Sequence, residues 1–215
     1  MPTQAGRRRR APLTRDRVLR AAIELADENG LEALTMRRLA RRVGVEAMSL
    51  YNHVAGKDDI LDGVVDLLVG GIEVPPDDVD WRTAIRDRAL AARRMARAHP
   101  WAVRLIAARS PASRGIIRYL DGVVGAFRRA GFPNQLIHDA LHLISSRALG
   151  FTQDVFDPNG IPPDAVAVFE AEMRSGGYPH IVAALAGVTH DDDAEFAFGL
   201  DLILDGLERV RDGRG

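Results

Sequence analysis

The sequence has no cysteine, so neither a disulfide framework nor a thiolate metal site is open to it. It has a single lysine against 28 arginines, an imbalance that points to a GC-rich genome and carries no function. Aromatic residues make up only 6% of the chain. No apolar run approaches the ~20 residues that span a membrane. No apolar segment follows the basic N-terminus, as a secretory signal would need. A soluble, cytoplasmic protein with no membrane partner is expected. Also missing are strand-like alternation bounded by turns, internal repeats, a phosphate-binding glycine loop and a convincing Ser/His/Asp arrangement.

What is present is ordinary in bulk and uneven in detail. The 215 residues are 47% hydrophobic and 27% charged, enough for one to two domains with a sizeable core. Residues 1–57 hold 12 basic and 6 acidic side chains, a net of +6. The remainder holds 17 basic and 24 acidic, a net of -7. A basic head on an acidic body suggests that only the head meets a polyanion.

The chain reads as all-α. Residues 1–13, with Arg7 to Arg10 and no apolar partners, read as a disordered basic arm. Thr14 is a good N-cap, and a helical stripe from Val18 to Ala26 stops at Asn29-Gly30. Thr35 caps a second helix with Met36, Leu39, Ala40 and Val43 inward, ended by Gly44. A third helix is expected from about 46 or 47 to 53, and a fourth from 57 to 68. After a Gly- and Pro-containing loop at 70–80, helices are expected at about 81–98, 101–109, 112–130, 133–155, 163–174, 178–186 and 191–211.

Residues 36–61, "MRRLARRVGVEAMSLYNHVAGKDDIL", carry the functional signal. Two short helices joined by a tight turn with glycine form the helix-turn-helix pattern. The major groove of B-DNA admits one α-helix, which another helix must hold at a fixed angle. Leu39, Val43, Val45 and Leu50 would make the core between the pair, and Gly44 allows the positive φ of a sharp turn. Ala47, Met48 and Ser49 begin the helix that would enter the groove. Ala47 and Met48 suit a thymine methyl, and Ser49 suits a base edge or phosphate. Tyr51, Asn52 and His53 suit phosphates or base edges. Arg37 could read guanine or clamp a phosphate. Lys57 opens the fourth helix, where backbone N–H groups also favour an anion.

Residues 13–65 resemble the DNA-binding domain of the TetR family of transcriptional repressors. The points of likeness are Gly30-Leu31, Thr35, Leu39-Ala40, Val43-Gly44-Val45 and "LYNHVAGKDDIL" at 50–61. "DAEFAFGLDLILDGLERV" at 193–210 is similar to the end of the family's tetracycline-repressor branch. The resemblance implies a helix-turn-helix domain at 14–60 and a helical effector-binding and dimerisation domain at 61–215. It matches Arg37, Met48, Ser49, Tyr51 and His53 to DNA-contacting positions and Lys57 to a phosphate contact. Met48 stands where tetracycline-repressor members have proline, which leaves the operator sequence open.

The resemblance further implies a ligand-responsive homodimer on a palindromic operator. Its half-sites would lie ~34–36 Å apart, or multiples of that. The dimer would form through the helices at about 133–155 and 191–211. The effector would be a small molecule, held by candidates Trp101, Leu105, Tyr119, Phe127, His138, His142, Ser145 and Phe151. Leu141, Ile144 and Phe169 could add apolar lining, and Arg147 and Gln153 polar groups. Glu73 and Leu105 stand where tetracycline-binding members place the histidines for a drug–magnesium chelate, so tetracycline is not the expected effector. No cofactor or bound metal is expected.

Two other readings stand beside this one. His138 and His142 at i, i+4 have a spacing that can chelate a metal, which would suit a helical metal-binding protein or enzyme. A helical adaptor whose arginine arm binds RNA or anionic lipid would instead rest on residues 1–12 alone.

Overall fold

The computed structural model describes residues 12–76, 78–109, 113–150, 163–187, 189 and 191–213. The described residues form helices and turns, without strands. In order they are α1 (Arg15–Asn29), a 3₁₀ turn (Leu31–Ala33), α2 (Met36–Val43), α3 (Ala47–Leu50), α4 (Lys57–Gly70), α5 (Trp81–Ala98) and α6 (Pro100–Arg109). Then come α7 (Arg114–Arg129), α8 (Asn134–Gly150), α9 (Pro163–Arg174), α10 (Pro179–Leu185) and α11 (Asp192–Arg211). Most bounds fall within two residues of the expected ones. The third helix is the exception: it ends at Leu50, not 53, and residues 51–53 form turns. The expected arm at 1–13 falls almost wholly outside the described residues, as does the last part of the helix expected at 133–155. Among the described residues no helix is long and apolar enough to cross a membrane.

The chain divides into two compact units, residues 1–74 with 98–122, and residues 75–97 with 123–215. By packing, the unit that holds the helix-turn-helix thus continues past residue 60 and takes in α6.

In the first unit, Thr14 and Thr35 cap α1 and α2, their hydroxyls accepting from the amides of Arg17 and Arg38 at 3.2 and 3.3 Å. Each such cap contributes about 1 kcal/mol. Val18, Ala22, Leu39, Leu50, Ile60, Val64 and Val65 form the core on which α1 to α4 close. Val45, expected in this core, is only half-buried. One edge of α4 is a row of aspartates one turn apart. Arg109 of α6 donates to Asp58 at 2.6 Å and also pairs with Asp62. Asp66 accepts from the Ser113 hydroxyl at 2.7 Å and from the Gly115 amide at 2.8 Å, closing the start of α7. A Cβ on Gly115 would lie 2.9 Å from the Cα and carbonyl oxygen of Asp66, so only glycine lets the two backbones come this near.

In the second unit, Arg82, Arg86, Arg93 and Arg97 share one face of α5. Arg82 meets Asp205, Arg86 meets Asp201, and Arg93 and Arg97 meet Asp192 and Asp193. The α11 numbers fall as the α5 numbers rise, so the two helices run antiparallel. Phe196 of α11 is fully buried, with the guanidinium carbons of Arg93 and Arg147 at 4.4 and 5.3 Å from its ring centre. Trp81, Phe127 and Phe132 form a second aromatic cluster, Phe127 and Phe132 meeting edge to face at 5.0 Å. Asp191 caps α11, accepting from the amides of Asp193 and Ala194 at 3.1 and 3.0 Å. The acidic run at 191–193 is therefore a helix start.

Candidate nucleic-acid interface

The turn between α2 and α3 is set by local chemistry. Gly44 sits at φ 77° and ψ 40°, left-handed geometry that costs a residue with a Cβ about 1 kcal/mol or more. Its amide and that of Val45 bond back to Ala40 and Arg41, at 2.9–3.2 Å. This closes the carbonyl end of α2 and aims the chain into α3. Leu39, Val43 and Leu50 are buried, so the pair is held by its own small core and by α1.

The remaining side chains are left outside. Met48 is 76% exposed and Tyr51 48%, although both are large and apolar enough to favour burial. Asn52, Arg37 and Lys57 are exposed, and Ala47, Ser49 and His53 are half-exposed. Ala47 to His53 form one continuous edge made of α3 and the turn after it. Arg37 lies in the first turn of α2. Lys57 is the first residue of α4, whose cap position is Gly56, with no side chain satisfying the first amides.

Two ion-pair systems brace this edge from behind. Arg42 takes both carboxylate oxygens of Glu28 at 2.6 Å and reaches Glu24 at 3.1 Å, fixing α2 to α1 and holding the Glu28 carboxyl below its ordinary range. Arg15 grips Asp59 with two bonds of 2.6 Å, and the Ala55 amide adds a third at 2.8 Å. These contacts, led by Arg15, lower the Asp59 carboxyl to about 2. Sequence reasoning passed over both systems. The signal was there in Glu24 and Glu28, one turn apart on α1, but their partner lies in another helix.

The effector candidates are divided between the two units. Trp101 is half-exposed, its indole N–H donating to Asp27 at 2.7 Å, and Asp27 also meets His99 Nδ1 at 2.7 Å. Leu105 is buried, and Tyr119 is half-buried in the same unit. Phe127 is wholly buried in the aromatic cluster of the other unit. His138, His142 and Ser145, expected to hold the effector, are all exposed. The buried stripe of α8 is Ile137, Ala140, Ile144 and Ala148, and at 100° per residue it turns those three outward. Phe169 is 40% exposed rather than lining a core. Ile144 is buried and Leu141 half-buried, and Arg147 stacks on Phe196. Phe151 and Gln153 lie outside the described residues.

A helix-turn-helix with its own core, an outward edge of groove-sized side chains and, among the described residues, a remainder of helices and turns define a DNA-binding regulator with a helical body. Residues 18–64 match the bacterial regulatory proteins, tetR family, and residues 74–211 the tetracyclin repressor-like C-terminal domain. The chain belongs to the TetR family and is a transcriptional regulator of that repressor family. It is 34% identical over 211 residues to the HTH-type transcriptional repressor DrrR1 of Streptomyces coeruleorubidus, covering 91% of this chain and 77% of that one. Among solved structures it resembles ActR of Streptomyces coelicolor in complex with actinorhodin, with TM-score 0.69 and 27% identity over 95% of this chain and all of that one. It also resembles BioQ bound to its double-stranded DNA operator, with TM-score 0.60 and 27% identity over 91% and 98% of the two chains.

Proposed function

We propose that the chain is a homodimeric repressor that binds a palindromic operator and is released by a small-molecule effector. The observation that carries this reading is the outward edge from Ala47 to His53, where Met48 and Tyr51 are exposed on a braced scaffold. Side chains of this size held out on rigid elements suit an occupant, and a DNA groove fits their mixture of methyl, hydroxyl, amide and imidazole groups. In this reading Ala47 and Met48 meet thymine methyls, and Ser49, Tyr51, Asn52 and His53 take phosphates or base edges. Arg37 and Lys57 hold the backbone. BioQ, solved with its operator, supports the docking mode.

Dimerisation would use α8 and α11. Both carry large apolar side chains on their outer faces: Leu143 at 51% exposure, Phe198 at 66% and Leu202 at 52%. A second copy of the chain would cover them. The effector is a small molecule other than tetracycline, since the buried, apolar Leu105 cannot ligate magnesium. ActR, solved with actinorhodin, supports a small-molecule effector. Within the first unit, Asp58, Asp62 and Asp66 link the helix that begins at Lys57 to Arg109, Ser113 and Gly115. That link would carry a displacement of α6 to the head, and effector and operator affinities are then reciprocally coupled.

Selection of bound duplexes from a random DNA library tests the reading. Recovery of a palindrome, lost with Tyr51→Ala at unchanged thermal stability, is the expected result. Binding without a consensus, falling steeply with salt, would leave only counterion-driven attraction and overturn it.

A further inference from the structure

We infer that Asp27 is a positioning residue of the regulator, tying the first turn of α6 to the last turn of α1 so that α6 holds the head at two points. The inference rests on the operator reading above. One oxygen of the Asp27 carboxylate, Oδ1, accepts from Trp101 Nε1 at 2.7 Å and meets His99 Nδ1 at 2.7 Å. The two rings flank Pro100, the first residue of α6, whose own ring fixes the backbone between them. They also meet each other edge to face, 6.1 Å between centres, so they reach Asp27 as a pair.

The place of Asp27 argues for this role. Acids are unfavourable in the last turn of a helix, beside the negative pole of its dipole. α1 nevertheless ends with Asp27 and Glu28, and no base stands in that turn. Each acid is matched from another helix: Asp27 by the start of α6, and Glu28 by Arg42 of α2, gripped through both oxygens at 2.6 Å. The start of α6 is thus joined to α2 through a single turn of α1. The far end of α6 is joined to α4, where Arg109 meets Asp58 and Asp62. The two grips lie about 15 Å apart along α6, so a tilt of about 5° displaces one against the other by roughly 1.3 Å. A hydrogen bond whose usual range ends near ~3.2 Å does not stretch so far, and α1 must follow α6 or let go. A tilt of α6 therefore turns α1 against α4 and changes the angle at which α2 presents α3.

The test uses the full chain with Trp81→Phe, which leaves Trp101 as its single tryptophan. The probe is the palindromic duplex recovered from the random library, beside a scrambled duplex of the same length. Operator binding and the state of Asp27 are linked in both directions, so the operator should shift Trp101 emission in proportion to occupancy and the scrambled duplex should not. Asp27→Ala should abolish that shift and weaken operator affinity at least about fivefold. Asp27→Asn keeps an oxygen acceptor and should restore both. Where Asp27→Ala lowers the melting temperature, Trp101→Phe in the otherwise native chain keeps a ring, removes only the N–H, and should weaken operator affinity in the same direction. Recovery of no palindrome would sink the operator reading and this inference with it. A palindrome bound with Trp101 emission unchanged, or bound equally by Asp27→Ala, would overturn this inference alone.

Discussion

The two compact units join their helices by ladders of opposite construction. In the first, one helix offers acids: Asp58, Asp62 and Asp66 of α4 are read by Arg109, Ser113 and the amide of Gly115. In the second, one helix offers bases: the arginines of α5 meet the acids of α11. The first ladder ends in a backbone approach that tolerates no Cβ, whereas the second runs through long side chains and guanidinium faces on Phe196. A ladder of flexible side chains can adjust when its helices slide, but one anchored backbone to backbone must move as a piece. The difference suits the first unit to passing on a displacement and the second to absorbing one.

The largest test of this contrast is Phe196→Ala. It removes the ring between Arg93 and Arg147 and should cost about 3–5 kcal/mol in denaturant unfolding of the second unit. Gly115→Ala tests the anchor of the first. Alanine normally favours a helix, but here the Cβ meets the backbone of Asp66, and a loss of about 1–3 kcal/mol is expected. A stabilised variant would show that the close approach is not a constraint.

The pH dependence of the first unit comes next. The Asp59 carboxyl is lowered to about 2, from an ordinary value near 3.8, so its bonds to Arg15 and Ala55 stabilise the fold fully above about pH 4. That contribution is lost as pH falls toward 2. Asp59→Asn should therefore lower the urea midpoint at pH 6 and approach wild type near pH 2. The smallest effect is expected for Arg86→Ala, whose half-exposed pair with Asp201 contributes about 0–1 kcal/mol. Arg109→Ala belongs to the same scale in stability, but it should blunt release of operator by effector while leaving operator binding intact. A variant that responds normally would detach α4 from the coupling.

Legibility in the sequence divided along the same line as the units. The head was readable because its signals are local: Thr14 and Thr35 cap, Gly44 turns, and Leu39, Val43 and Leu50 repeat at helical spacing. The end of α3 was not, because His53 and Val54 still bond to the Leu50 carbonyl in the turn that follows, and spacing alone does not separate such a turn from a helix. The phase of α8 was not legible because its apolar residues, from Leu136 to Ile144, spread round most of the helix. The burial pattern, not periodicity, settles which side faces in. Trp101 was expected to hold the effector, but its N–H required an acceptor and found Asp27. The arginine stripe of α5 was visible as spacing, and only the antiparallel partner α11 gives it a meaning.

The single lysine of the chain, exposed at the first position of α4, is also its single side-chain amine. Any reagent or enzyme that modifies lysine side chains is therefore confined to one address, close in sequence to the edge from Ala47 to His53. A fluorophore attached to that side chain would report on the head. Acetylation there would remove one positive charge from that edge and touch nothing else in the molecule.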